Sequence, residues 1–154
     1  MRVIVATVGR PRQPALTAAI EEYEHRAARY WPLDVRAVRE ESARASDPAL
    51  VRLREGERLL AVVPPGARLL VCDERGTGMT SNEFATLLSA ERDLARDVAF
   101  VIGGAFGLSD AVRARAHRLI ALAPWTLPHE MARLVLAEQL YRAGTIARGE
   151  PYHK

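Results

Sequence analysis

Disulfides, lysines and long apolar runs are what this chain lacks. It has 154 residues and a single cysteine, Cys72, so a disulfide scaffold is excluded by arithmetic. No apolar run approaches the ~20 residues of a membrane-spanning helix, which excludes such a span. Charge of one sign is not in excess either. The 22 basic residues face 19 acidic ones, for a net charge of +3, and with 49% hydrophobic residues the chain is too apolar to be disordered. Residues 1–77 carry 13 basic and 11 acidic side chains and residues 78–154 carry 9 and 8, so there is no basic arm. Lys154 is the only lysine. Guanidinium groups suit bidentate phosphate contacts, but an arginine-rich composition reads first as compositional bias; it permits nucleic-acid binding without requiring it. The apolar N-terminal run ends at Gly9-Arg10-Pro11 with no small-residue cleavage site, so the expectation is a cytoplasmic protein without a signal peptide.

What is there is an alternation. Val3–Val8 is apolar and β-branched, the pattern of a strand buried on both faces. A helix follows with Leu16, Ile20, Tyr23, Ala27 and Tyr30 on one stripe, stopped by Pro32. Val35–Val38 is a weaker strand. Asp47-Pro48 opens a second helix whose inward face is expected to hold Ala49, Leu53, Gly56, Leu60 and Val63, and Pro64-Pro65-Gly66 ends it. Leu69–Cys72 is a strand, Asp73–Met79 a glycine-containing loop, and Thr80 with Glu83 a capping box before a helix carrying Phe84, Leu87 and Leu88. Val98–Ile102 is the clearest strand. A turn, a helix capped by Ser109, a short strand at Leu119–Leu122, a loop at Pro124–Pro128 and a helix over about 130–146 complete the order. Strands alternating with helices predict an α/β fold, a mostly parallel sheet between helices, over a single domain at 1–154. In such sheets ligands sit beyond the carboxyl ends of the strands, which selects the loops after Cys72, Ile102 and Leu122.

Each candidate site has a plain reading beside its functional one. Gly103-Gly104-Ala105-Phe106-Gly107 allows backbone to approach a ligand closely, or is simply a tight strand-to-helix turn. Its adjacent glycines match neither a dinucleotide fingerprint nor a P-loop. Leu122-Ala123-Pro124-Trp125-Thr126-Leu127-Pro128 offers backbone to the edge of a purine and side chains to its faces, or packs into the core. Glu138 and Arg142, at i and i+4, read as a solvated salt bridge, His129 as a capping or structural residue, and Cys72 as a small core residue. Tyr152-His153 reads as a frayed end, although an aromatic and titratable one. His25 and His117 fall on polar helix faces, and no cysteine–histidine spacing suggests a metal, so none is expected.

Jointly the segments are more specific than their parts. Phe100-Val101-Ile102-Gly103-Gly104-Ala105-Phe106-Gly107-Leu108, Thr126-Leu127-Pro128-His129, Arg133, Glu138-Gln139-Leu140-Tyr141-Arg142-Ala143 and Pro151-Tyr152-His153-Lys154 resemble the SPOUT-class ribosomal large subunit methyltransferase H family, which methylates N3 of a pseudouridine in bacterial 23S rRNA. The resemblance runs the whole length, through Val8-Gly9, Glu22-Tyr23 and Glu55-Gly56, and is weakest at 39–50 and 74–97. It implies a trefoil knot within about 68–154, a homodimer, and S-adenosylmethionine bound by Cys72, Gly103, Gly104, Leu122, Ala123, Pro124, Trp125, Thr126 and Leu127. The family more often has Leu where this chain has Cys72 and an aliphatic residue or Met where it has Trp125; both changes preserve apolar contact.

The resemblance also implies chemistry. A sulfonium donor already carries an electrophilic methyl, so methylation at N3 needs the weakly acidic N3 proton removed and the anion stabilised. His153 is the expected base, since histidine titrates near neutrality. Arg142 is expected to stabilise negative charge or hold phosphate, and Tyr152 to stack on or hydrogen-bond the target base. The C-terminal segment closes over the pocket, its own or a partner subunit's. With all residues used by one catalytic domain, specificity is expected to come from a large substrate such as the ribosome. The rivals are a SPOUT enzyme acting on tRNA, a non-enzymatic ribosome-binding factor, and a nicotinamide oxidoreductase, against which the glycine spacing counts.

Overall fold

The structure is a computed structural model that describes residues 1–42 and 47–154. Five strands form one sheet: β1 (Val3–Val8), β2 (Leu33–Val38), β3 (Arg68–Thr77), β4 (Val98–Ile102) and β5 (Arg118–Ile120). Their order is β2-β1-β4-β3-β5, and every pairing is parallel. Among the described residues, α1 (Pro14–Ala27), α2 (Pro48–Ala61), α3 (Ser81–Asp93) and α4 (Asp110–Arg115) lie between successive strands and α5 (His129–Ala147) follows β5. The α/β expectation is borne out, with helices on both faces of a parallel sheet.

The two-residue period of the strands divides the core. Val3 and Val5 of β1 and Val98, Phe100 and Ile102 of β4 face one way, into a cluster with Phe84 and Leu88 of α3 and Leu136 and Leu140 of α5. Ile4, Ala6 and Val8, with Ala99 and Val101, face the other way, toward Leu59 of α2 and Val112 of α4. Trp31, just past α1, is buried in the first cluster and donates its indole N–H to the Leu140 carbonyl at 2.8 Å. Because all five strands run in one direction, their carboxyl ends share one edge, where the selected loops after β4 and β5 lie.

Four expectations need correction. The inward face of α2 is Val51, Glu55, Gly56 and Leu59, whereas Ala49 and Leu53 are exposed. A glutamate at the centre of the buried stripe disguises it. The expected loop at Asp73–Met79 is strand as far as Thr77: β3 continues past Cys72, with a register shift before Thr77 meets Ile120. Gly76 permits this, because a Cβ there would lie 2.6 Å from the backbone N and C of Ile120. Consequently β5 starts at Arg118 and ends at Ile120, so Leu122 belongs to the following loop. His117 is not on a helix face; it follows α4, and its Nδ1 accepts the Leu69 amide proton at 2.9 Å. The capping box is present as expected, Thr80 Oγ1 accepting from Glu83 N and the Glu83 carboxylate from Thr80 N.

Glu91 of α3 is a buried acid with two cations, its oxygens 2.9 Å from Arg68 Nη1 and 2.5 Å from Arg96 Nε. The Arg96 hydrogen bond, with help from Arg68, holds its carboxyl below the ordinary glutamate range. A group whose folded value is depressed contributes stability above its unfolded value, near pH 4.3, and loses it as pH falls through the folded value. Glu91→Gln therefore lowers stability by about 2 kcal/mol at pH 7 and by much less near pH 3. Thermal unfolding of both proteins at the two pH values measures the difference.

Candidate active site

A cavity of about 320 Å³ opens at the carboxyl ends of β4 and β5, beside Cys72–Glu74 of β3. Cys72, Asp73 and Glu74 come from β3, Ile102 ends β4 and Gly103–Leu108 follow it, Leu122, Ala123, Trp125, Thr126 and Leu127 follow β5, and His129 and Ala132 lie in the first turn of α5. Of the nine residues expected around a cofactor, Pro124 alone is not on the wall. The volume falls in the range of small-molecule pockets.

The glycine turn is shaped by contacts. A Cβ at Gly103 would lie 2.8 Å from Leu108 Cγ and 2.9 Å from the Gly107 carbonyl carbon. Gly107 N donates to Gly104 O at 3.0 Å, and Gly107 has φ +78°, a left-handed value that glycine adopts without strain. Ser109 then caps α4, accepting from Val112 N. Three charged wall residues, Asp73, Glu74 and Arg113, escaped the sequence reading. Asp73 accepts from Arg113 Nε at 2.7 Å, and Arg113 Nη1 donates to the Leu108 carbonyl at 2.8 Å, tying β3 to the end of the turn. The signal available was an acid directly after a strand, with an arginine on the helix that follows the glycines. Across the mouth, the Thr126 hydroxyl donates to the Glu74 carboxylate. Desolvation pushes the Cys72 thiol up to about 12, so it stays protonated, in keeping with its reading as a small core residue. His129 is not a cap, since Pro128 holds that position; its place is on the cavity wall. Trp125 is 72% exposed and Phe106 39%, both at the cavity.

The other expected residues form a second cluster. Glu138 Oε1 accepts from Arg142 Nε at 3.0 Å, from Arg142 Nη2 at 2.5 Å and from the Tyr152 hydroxyl at 3.1 Å. The guanidinium lies 4.7 Å over the Tyr152 ring, whose centroid is 4.6 Å from that of Tyr141. Burial, then hydrogen bonds with Tyr23 and Glu138, push the Tyr152 phenol above its ordinary value, so it remains a donor. Arg142 Nη1 lies 3.3 Å from His153 Nδ1. A guanidinium can only donate, so Nδ1 accepts and the neutral ring carries its proton on Nε2. The end of the chain is therefore packed, not frayed: Glu150 N donates to the Thr145 carbonyl at 2.9 Å, and the Tyr30 hydroxyl donates to the Glu150 carboxylate. The Glu138–Arg142 pair is likewise half-buried, at 20% and 25% side-chain exposure, and not solvated.

The two clusters do not meet within one chain. Ala132 lines the cavity and Arg142 lies ten residues further along α5. At ~1.5 Å per residue that is about 15 Å of helix.

Comparison with known proteins gives the family. A family model described as "Predicted SPOUT methyltransferase" matches residues 1–153. The chain belongs to the SPOUT methyltransferase family. This methyltransferase is 59% identical over 154 residues to the ribosomal RNA large subunit methyltransferase H of Gemmatimonas aurantiaca, covering 100% of both chains. It is 46% identical to the protein of that name from a Geobacter species, covering 99% of each. A crystal structure described as a "Probable Methyltransferase" from Bordetella pertussis superposes with a TM-score of 0.61 at 21% identity, covering 93% of this chain and 94% of that one. That similarity shows the fold. Among the described residues of the methyltransferase, no group of three or more His, Cys, Asp or Glu is placed to hold a metal, and no helix is long and apolar enough to cross a membrane.

Proposed function

We propose that this enzyme transfers the methyl group of S-adenosylmethionine to N3 of a pseudouridine in bacterial large-subunit rRNA, acting as a cytoplasmic homodimer on the ribosome. The observation that carries the reading is the cavity, which gathers Cys72–Glu74 of β3 and the loops after β4 and β5 in a chain 59% identical to a ribosomal RNA large subunit methyltransferase H. Its wall suits the donor. Ile102, Leu122, Leu127 and Trp125 are apolar surface for a purine, the Gly103–Gly104 backbone allows close approach, and Asp73 and Arg113 are charged partners for a zwitterionic amino acid. When bound, S-adenosylmethionine supplies a methyl made electrophilic by its sulfonium.

The chain's own residues supply the rest. Arg142, held by Glu138, turns from His153 to the oxygens of the deprotonating base. That movement frees His153 Nδ1, the nitrogen now accepting from Arg142, to receive the N3 proton. Tyr152 stacks against the base. Since α5 separates this cluster from the cavity by about 15 Å, the C-terminal residues act on the cavity of a second copy.

Labelled methyl transfer from S-adenosylmethionine tests the reading, with ribosomes from a strain lacking the modification, their free subunits, an isolated rRNA stem-loop and bulk tRNA as substrates. The expected result is label in large-subunit rRNA of ribosomes and little on the stem-loop. Label confined to tRNA would move the target, and efficient methylation of the stem-loop would remove the requirement for a large substrate.

A further inference from the structure

We propose that Glu55 is a positioning residue for the donor loop: its side chain, buried beneath Gly104, holds the Gly103–Gly107 turn in the conformation that lines the cavity. The inference deepens the proposed donor site and rests on that reading for its link to methyl transfer.

Glu55 belongs to α2, on the sheet face opposite α5, and is 3% exposed. One carboxyl oxygen, Oε1, accepts the Glu41 amide proton at 3.0 Å. The other, Oε2, is buried with no hydrogen-bond partner among the described residues. It faces the glycine turn so closely that a Cβ on Gly104 would lie 2.6 Å from it, and 3.2 Å from Val8 Cγ1. The next residue reaches the far end of the same segment. A Cβ on Gly56 would lie 2.7 Å from Ser109 Oγ and 2.9 Å from Val112 Cγ2, so α2 presses directly against the start of α4. Consecutive residues of one helix thus bear on both ends of the turn, Glu55 at Gly104 and Gly56 at Ser109.

An acid buried with no ion-pair partner among the described residues is a poor device for stability, because an apolar side chain of the same volume would avoid the desolvation cost. The nearby charges do not neutralise it. Glu40 and Glu41 oppose its ionisation, and Arg58, which favours it, is engaged with Glu41 at 2.5 Å and with the Arg39 carbonyl. Burial pushes the carboxyl above the ordinary glutamate range, toward the neutral acid, whose shape and polarity glutamine reproduces. What no apolar residue offers is a polar arm, fixed at Oε1 by Glu41, whose tip sets the height of the Gly104 backbone.

Amide hydrogen exchange across residues 103–107, without donor, and calorimetric binding of S-adenosylmethionine test the proposal on four variants. Glu55→Ala should speed exchange of this segment and weaken donor binding, each by about tenfold, the change expected where ~1.4 kcal/mol of ordering is lost. Glu55→Gln should match the wild type in both. Glu55→Asp keeps the acid but withdraws it by one methylene, so it should behave like Glu55→Ala and replaces it if that variant does not fold. Val51→Ala removes a buried side chain from the same helix face and should lower the melting temperature without changing the loop. Wild-type exchange and binding in both the Ala and Asp variants, or equal loop changes in Val51→Ala, would overturn the proposal. If the wild type itself binds no S-adenosylmethionine, the donor reading fails, and the exchange data still decide what Glu55 does.

Discussion

Methyl transfer to ribosomes falls by about two to four orders of magnitude in His153→Ala, the range attached to loss of a positioned general base. In Arg142→Ala it falls by about two to three, as when a charge-stabilising donor is removed from a preorganised site. Arg142→Lys does not restore the rate. A lysine ammonium cannot span Glu138 on one side and an anionic base on the other as the planar guanidinium does. Donor affinity stays near the wild-type value in all three, because none of these side chains lines the cavity of its own chain and their role is toward the base. The division between rate and affinity is the informative part. A defect that appeared only in donor binding would place the C-terminal cluster outside the chemistry.

The same variants test which chain supplies the cluster. Arg142→Ala keeps an intact cavity, and Gly103→Val blocks the cavity while keeping an intact C-terminal end. Each is inactive alone. If the end acts on a partner's cavity, mixed dimers of the two contain one complete site and recover activity. If it acts on its own cavity, neither chain in the mixture is complete and activity stays absent.

A second loss of stability comes from a methyl group. Gly144 sits on α5 against Tyr30, and a Cβ there would overlap the tyrosine, lying 2.5 Å from its Cβ and 2.8 Å from Cδ1. Tyr30 cannot swing aside cheaply, since its hydroxyl is held by Glu150 and its ring lies beneath Arg148 and beside Tyr141. Alanine favours a helix over glycine by about 1 kcal/mol, but separating α5 from Tyr30 costs roughly 1–3 kcal/mol or more, so overpacking prevails. Gly144→Ala is expected to lower the melting temperature by several degrees, at ~2–4 °C per kcal/mol for a chain of this size. It also loosens the Tyr30–Glu150 anchor of the C-terminal segment, so methyl transfer falls further than donor binding does. Calorimetry together with the ribosome assay measures both.

Why some of this was legible in the sequence, and some was not, follows from the range of the forces involved. β1 and β4 are uninterrupted apolar runs, and Thr80 with Glu83 is a cap written within four residues. The cavity loops after β4 and β5 were legible because parallel strands place their carboxyl ends together whatever their order. The buried face of α2 was hidden because its central residue is Glu55, and hydrophobic periodicity assigns a glutamate to solvent. The continuation of β3 was hidden because Asp73, Glu74, Arg75 and Gly76 look like a turn; Gly76 makes it strand by admitting the backbone of Ile120, far along the chain. Order at the C-terminus depends on Tyr30 meeting Glu150 across 120 positions, which no local pattern records. That Arg142 and His153 touch while both stand apart from the cavity is likewise a property of one long helix.

The strand order has a consequence for how the molecule comes into being. β4 joins β1 to β3, and no other strand does. A nascent chain that has emerged only as far as residue 97 therefore holds one strand pair, β1 with β2, and a solitary β3 with bare edges. Closure waits for Val98–Ile102 to insert between strands made long before it, an event that couples the two halves of the chain at high contact order. Folding during synthesis is thus deferred until almost two thirds of the chain is out, and in that interval the exposed apolar edges invite association with other chains.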